Sequence, residues 1–196
     1  MQRSASRVSV ASFTGRVAVG YALLAVLATA LALALRDGVP WVYARPWLNL
    51  GPALGAAASA GMGLAAALLI IVTTRLSATR FSWAQRLHLD LRPFAHGLAL
   101  WQVVVIAGCS SLGEELLFRG LIQQWLGILP ASVLFGALHQ VPGPARFVWV
   151  TWAMVVGILF GAMFEATGSL LGPIVAHALV NAVNLVFLRD YDPLAE

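Results

Sequence analysis

Long apolar segments separated by short polar connections are the feature that most constrains how this chain folds. The 196 residues are 60% hydrophobic and only 10% charged, whereas a soluble domain carries about 25% charged residues. A helix that crosses a bilayer needs about 20 mostly apolar residues. Six segments meet or approach this requirement: 17–35, 48–74, 94–125, 128–140, 147–164 and 169–188. The sequence therefore predicts an all-α fold, a polytopic membrane bundle of about six transmembrane helices.

These spans leave no room for a separate soluble module, so we expect a single integral membrane domain over residues 1–196. Its first part, 1–93, holds two spans without distinctive motifs and a polar segment, 75–93, that is either a loop or an interfacial helix. Its second part, 94–188, contains the polar motifs described below. Two pairs of glycines have the four-residue spacing of closely packed membrane helices, Gly51 with Gly55 and Gly157 with Gly161.

Charge and cysteine content exclude several kinds of partner and site. The 12 basic residues are all arginine, and they are scattered rather than clustered into the stripe that a phosphate backbone requires. No nucleic-acid partner is therefore expected. The single cysteine, Cys109, excludes an internal disulfide and a cysteine-based metal cluster.

The distribution of arginines predicts the orientation of the chain. The tail before the first span has three arginines and the segment 75–93 has four, whereas the connection 36–47 has two. Because short cytoplasmic loops carry an excess of positive charge, this pattern favours a cytoplasmic N-terminus. A cleaved signal peptide is the alternative for the first span, although 17–35 exceeds the usual apolar core of about 7–15 residues.

The segment "SLGEELLFRG", residues 111–120, places three charged residues between apolar stretches. Ionised groups near a membrane interior are costly and usually functional. Residues four apart share a helical face, so Glu115 and Arg119 are expected to form an ion pair. Glu114 points about 100° away from Glu115 and is not matched by that arginine. We therefore expect one structural glutamate and one that is available as a general base.

Two later apolar spans also carry isolated polar side chains. His139 follows Phe135 by four residues in "FGALH", and Asn181 follows His177 by four in "HALVN". Polar groups that face lipid without partners are costly, so these side chains should face the bundle interior together with Glu114. A carboxylate, two imidazoles and a carboxamide in one cavity predict a hydrolytic or ion-binding site.

The depths of these residues conflict under simple counting of six crossings. Glu114 would lie toward the outer side of the membrane, and His139 toward the inner end of the fourth span. A continuous helix over 94–125 would also be about 48 Å long at 1.5 Å per residue. The helices must therefore be offset, or their boundaries must differ from those predicted.

Other polar and aromatic residues are expected to lie outside the cluster. His88 and His96, in or beside the polar segment, should be solvated or interfacial. Glu165 is assigned to a solvated turn between the fifth and sixth spans. Trp149 is interpreted as an interfacial anchor or a core residue.

Three motifs in this order resemble the CPBP family, the CAAX-protease and bacteriocin-processing membrane proteins also called the Abi family. The resemblance covers residues 94–188 and rests on "GEELLFRG", "FGALH" and "GSLLGPIVAHALVN". It implies an intramembrane endopeptidase of the glutamate type. It further implies catalytic and site-shaping roles for particular residues of this chain. The catalytic set is Glu114 with His139 for water activation and His177 with Asn181 for oxyanion stabilisation, and the site-shaping set is Glu115, Arg119 and Phe135.

The resemblance leaves the metal requirement open between two accounts. The favoured account is metal-free and needs no cofactor. The alternative is a zinc-dependent intramembrane metalloprotease, because one glutamate and two histidines form the ligand set of some catalytic zinc sites. The ligands would then be Glu114, His139 and His177.

The substrates implied by the resemblance are membrane-anchored or lipidated proteins in the bilayer, here a bacterial cytoplasmic membrane. A myxosortase-like role on C-terminal sorting segments is one candidate. Two alternatives belong to other classes: a non-enzymatic scaffold or immunity protein that keeps the fold, and an ion-coupled transporter. The intact motifs argue against the scaffold, and the lack of paired inverted repeats argues against the transporter.

Overall fold

The computed structural model describes residues 2–35 and 38–195, and the side chains of this part from residue 13 onward. Residues 36 and 37 of the predicted connection 36–47 lie outside the described residues. The described part contains helices and no strand, apart from one isolated bridge between Val42 and Ser169. The helices are α1 (Gln2–Leu35), α2 (Pro52–Arg80), α3 (Ser82–Ala95), α4 (Leu100–Glu115), a π-helical segment (Leu116–Ile122), α5 (Gln123–Leu126), α6 (Ile128–Leu138), α7 (Arg146–Thr167) and α8 (Leu171–Asp190).

The predicted membrane bundle of about six helices is confirmed. Among the described residues, five helical stretches are long and apolar enough to cross a bilayer: Phe13–Leu35, Pro52–Arg80, Leu100–Leu126, Arg146–Thr167 and Leu171–Asp190. The sixth, α6, has 11 residues. It is about 16 Å long at 1.5 Å per residue, roughly half of a bilayer's hydrocarbon thickness. The division of the chain into a generic first part and a catalytic second part stays a prediction.

Two predicted boundaries were wrong, both around the polar segment 75–93. The segment is helical, which is the second of its two predicted alternatives. The predicted end of the second span at residue 74 was wrong, because α2 continues to Arg80 before α3 begins at Ser82. The third span does not begin at residue 94, since α3 ends at Ala95 and α4 begins at Leu100. Gly97, with a φ of 83°, lies between the two helices in a left-handed conformation that favours glycine.

The bundle is organised around α4 and α8. Helix α4 packs against α1 and α8, α8 also packs against α2, and α6 packs against α7. Ser59 of α2 joins the turn between α7 and α8, because its hydroxyl accepts the Gly172 N–H at 2.9 Å and donates to the Ser169 carbonyl at 2.8 Å. Gly63, one turn along α2, has its Cα against the backbone of Gly172. This close approach brings the start of α8, and with it His177, against the body of the bundle.

The glycine prediction was partly wrong. A Cβ at Gly55 would lie 2.6 Å from the Thr167 carbonyl oxygen, and at Gly161 it would lie 2.6 Å from Gln123 Oε1. Gly157 also packs closely, on Ser132. Gly51 is instead an exposed residue preceding α2 with a φ of 72° and open space around it. It ends the connection before α2 rather than packing one helix on another.

Candidate active site

Glu115 is an internal anchor on the last turn of α4. Its side chain is fully buried, and its Oε1 accepts hydrogen bonds from Arg119 Nη1 at 3.0 Å and from His177 Nδ1 at 2.7 Å. The predicted Glu115–Arg119 pair is therefore present. Because a buried charge is tolerated only when it is paired, this arrangement fixes the end of α4 against α8.

Arg119 lies in the middle of the bundle and contacts two helices, α6 and α7, in addition to its partner Glu115. It is 1% exposed, and its Nη2 donates to the Gly157 carbonyl of α7 at 3.2 Å. Its guanidinium carbon lies 4.5 Å from the centre of the Phe135 ring of α6. Such a cation–π contact is favourable in a site away from water. Arg119 thus connects the π-helical segment to α6 and α7, and π-helical turns are frequent at functional sites.

Glu114 points away from this anchor, as the sequence predicts. Its Oε1 accepts a hydrogen bond of 2.8 Å from the Tyr21 hydroxyl of α1. Its Oε2 is buried and has no hydrogen-bond partner among the described residues. The same oxygen lies 3.7 Å from His139 Nε2 and 3.9 Å from His177 Nε2. These separations are too long for direct hydrogen bonds, and contacts of this length are often bridged by water.

Both histidines are oriented through Nδ1. His139 Nδ1 lies 2.7 Å from the Phe135 carbonyl oxygen, and His177 Nδ1 lies 2.7 Å from Glu115 Oε1. Carbonyl and carboxylate oxygens only accept hydrogen bonds, so each Nδ1 carries the proton. In a neutral ring Nε2 is then an acceptor. Two Nε2 lone pairs therefore face Glu114.

The depth conflict between Glu114 and His139 is resolved by the length of α6. That helix begins after Gly127 and ends at Leu138, so it reaches only partway across a bilayer. His139 follows its last residue in a non-helical conformation with ψ of 73°. The imidazole consequently lies at the depth of Glu114 rather than at the far end of a full span.

Asn181 faces α4 from one turn beyond His177. Its Nδ2 donates to the hydroxyl of Ser110 at 3.1 Å, and Ser110 lies four residues before Glu114 on α4. Asn181 is therefore beside the cluster, and its oxyanion role stays a prediction. Trp149 also borders the site, with its ring centre 6.0 Å from that of His139.

Two residues near Glu114 were missed by the sequence reasoning. Tyr21 lies in the first apolar span, where its isolated hydroxyl was a usable signal because polar groups in such spans seek partners. Ser110 carried no comparable signal, since serine commonly bonds its own helix in membrane proteins.

Two other residues differ from their expected surroundings: His88 is not solvated, although its interfacial location stays a prediction, and the assignment of Glu165 to a turn was wrong. His88 is buried, and its Nε2 lies 3.1 Å from the Tyr191 carbonyl oxygen. Burial lowers the pKa of His88, and the hydrogen bond to that carbonyl opposes the shift only in part. Glu165 is not in a solvated turn, because α7 continues to Thr167. Its Oε1 accepts a hydrogen bond of 3.1 Å from Gln123 Nε2.

The metal alternative can be tested against the spacing of the donor atoms. Among the described residues, no group of three or more histidine, cysteine or acidic side chains is arranged to hold a metal ion. Bonds of about 2.0–2.1 Å in a tetrahedral zinc site put neighbouring ligand atoms about 3.3 Å apart. The distances of 3.7 and 3.9 Å from Glu114 Oε2 to the two imidazoles are longer. The set is chemically suitable for zinc, but its atoms would have to move together to bind it.

The fold and the site together define a polytopic membrane protein with a partly buried glutamate beside two histidines. Residues 96–183, which include all the predicted site residues, match the Rce1-like family, described as "Type II CAAX prenyl endopeptidase Rce1-like". This match agrees with the resemblance seen in the motifs, and residues 96–183 are similar to this family of endopeptidases.

A curated relative adds a second comparison. The uncharacterized protein YpbD of Bacillus subtilis (strain 168) is 40% identical over 85 residues, which is 41% of this chain and 42% of YpbD. The chain therefore spans less than half the length of this relative. No solved structure shows a significant match.

Proposed function

We propose that the protein is an intramembrane endopeptidase that cleaves membrane-anchored or lipidated proteins with a water activated by Glu114. Two observations support this class of activity: the match of residues 96–183 to a protease family, and the membrane-spanning helices. The observation that carries the chemistry is the position of Glu114 Oε2, buried, without a hydrogen-bond partner and close to two imidazole Nε2 atoms.

The geometry suits a water between Glu114 and His139. Two hydrogen bonds of about 2.8 Å readily bridge atoms separated by 3.7 Å. Both atoms are acceptors, so the water donates one O–H to each and directs a lone pair at the scissile carbonyl carbon. As the C–O bond forms, Glu114 takes the proton from the water, and it later delivers that proton to the leaving amine nitrogen when the C–N bond breaks.

His177 is suited to stabilise the oxyanion when its Nε2 also carries a proton, taken up from water before the reaction, instead of the free lone pair of the neutral ring. Its Nδ1–H then donates to Glu115, and its Nε2–H is available to the negative oxygen of the tetrahedral intermediate. Glu115 supplies the counter-charge. Asn181 has two amide hydrogens, of which one bonds Ser110 and the other is available for the same oxygen.

Access to the site follows from the exposure of its side chains. His177 is 7% exposed, Glu114 12% and His139 23%. His139, which follows α6, is the most exposed of the three, so the peptide is expected to reach the site from this side. A site set within membrane helices suits a substrate tethered to the bilayer, and C-terminal sorting segments of the myxosortase type are one candidate.

The inferred location is a bacterial cytoplasmic membrane, on the basis of the membrane-spanning helices and the bacterial relative. The arginine distribution favours a cytoplasmic N-terminus. A membrane-impermeant maleimide tests this on an Ala5→Cys variant that also carries Cys109→Ala. Labelling only after cell lysis is expected, whereas labelling of intact cells would overturn the orientation.

The enzymatic proposal is tested in nanodiscs with a library of single-span peptides, with and without a prenyl group, read by mass spectrometry. Wild-type protein should cleave members of this library, and Glu114→Gln should not, because it keeps the shape of the side chain and loses the base. Glu165→Gln is the matched control, since it makes the same change away from the cluster, and it should retain activity. Absence of cleavage by the wild type, or undiminished cleavage by Glu114→Gln, would overturn the proposal.

A further inference from the structure

The first helix contributes a polar group to the cluster. The Tyr21 hydroxyl donates to Glu114 Oε1 at 2.8 Å, across 93 residues of sequence. Tyr21 lies on α1, outside the segment 96–183 that matches the protease family. A hydrogen bond to an ionised group is among the stronger ones in proteins. The residue that should act as base is therefore held by a helix that the sequence motifs do not include.

The approach of α1 to this point depends on Gly113. A Cβ at that position would lie 2.9 Å from the Tyr21 carbonyl oxygen and 3.1 Å from its ring atom Cδ1. A side chain at position 113 would consequently push α1 away from α4 at the residue that precedes Glu114. A Cβ at Gly108, on the same helix, would meet no atom within 4 Å, so Gly108 does not take part in this contact.

The contact distinguishes the two oxygens of Glu114. Oε1 is engaged by Tyr21, and Oε2 faces His139 and His177. The terminal torsion of a glutamate is broad, so without a partner on Oε1 the carboxylate rotates over a wide range. A catalytic group must be held within a fraction of an ångström of its productive position. The phenol supplies that restraint.

We propose that Tyr21 is a positioning residue of the active site and that α1 completes this site. The proposal rests on the proposed function for its catalytic consequence, but its structural content is independent of it. The first span then has a specific role beyond anchoring the chain. If it were cleaved as a signal peptide, Glu114 would lose the hydrogen bond that restrains it.

The catalytic test is Tyr21→Phe, which removes only the hydroxyl. The expected result is a fall in kcat of about 10- to 100-fold with KM unchanged, because the proposal assigns the phenol to the positioning of Glu114 and not to substrate binding. Tyr191→Phe is the matched control, because it also removes a phenol hydroxyl, but from a ring that packs on Phe187. This variant should keep the wild-type kcat. Gly113→Ala should reproduce the loss of kcat, whereas Gly108→Ala should not.

A second measurement does not depend on activity. Thermal unfolding of Tyr21→Phe, Glu114→Ala and the double variant forms a double-mutant cycle. If the hydrogen bond exists, the shifts in Tm are not additive. Additive shifts, a kcat within twofold of the wild type for Tyr21→Phe, or a change confined to KM would each overturn the proposal. If the wild type cleaves no peptide, the proposed function fails, and the cycle still decides whether Tyr21 restrains Glu114.

Discussion

Replacing Glu115 by glutamine should destabilise the protein strongly. The substitution keeps the shape of the side chain but removes the charge that balances Arg119, which is 1% exposed. The remaining contacts of Arg119 include the Gly157 carbonyl and the faces of Phe135 and Phe160, and none of these carries a full negative charge. Removing one partner of a buried ion pair costs about 3–5 kcal/mol. Since whole domains are stable by about 5–15 kcal/mol, most of the folded protein should be lost on mild heating.

The measurement is thermal or SDS-induced unfolding in one detergent, together with the yield of monodisperse protein. The double variant Glu115→Gln, Arg119→Gln is the control, because it removes both charges and should recover much of the lost stability. Glu114→Gln should remain well folded. A Glu115→Gln protein that is as stable as the wild type but inactive would show that the roles of the two glutamates have been exchanged.

Three further predictions concern catalysis, metal and pH. Asn181→Ala should lower kcat by roughly 10²–10³ with little change in KM, as loss of an oxyanion donor does. Asn181→Asp, if ionised, should not restore kcat. An effect on KM alone would make Asn181 a substrate-binding residue. Exhaustive chelation should leave cleavage nearly intact, whereas one equivalent of zinc per chain that alone restores activity would establish the metalloprotease account. Because burial lowers the pKa of His88, the unfolded chain takes up a proton that the folded one resists as pH falls below about 6.5. The stability of the folded protein should therefore decrease below that pH. The measurement is unfolding at about pH 7.5 and about pH 5.5, on either side of about 6.5, and His88→Gln should reduce the difference in stability between the two.

The pattern of the site was predictable in part because helical spacing is a local property. Glu115 and Arg119 pair because residues four apart share a face, and Glu114 diverges for the same reason. The expectation that His139 and His177 face the bundle interior also follows from sequence, since polar groups in apolar spans require partners. Both histidines do lie beside Glu114.

The failures concern positions at which distant segments meet. His88 was expected to be solvated or interfacial. Its side chain is not solvated, because α3 packs on α8 and places it against a carbonyl 103 residues away. Glu165 was assigned to a turn because no local signal separated it from the following "ATGS". The helix in fact continues to Thr167, and the following Gly168, with a φ of 76°, supplies the left-handed residue that terminates α7.

The sequence by itself determined that this chain is an all-helical membrane protein with a Glu–Arg pair and a cluster of polar side chains. These properties depend on segment length, on hydropathy and on the requirement that backbone groups in lipid bond within their own helix. The tertiary structure alone decided that Tyr21 bonds Glu114, that the short α6 brings His139 to the same depth, and that Arg119 joins α6 and α7. Relative rotation and depth of helices are set by close packing between segments far apart in the chain, such as Gly113 against Tyr21, and no local periodicity records them.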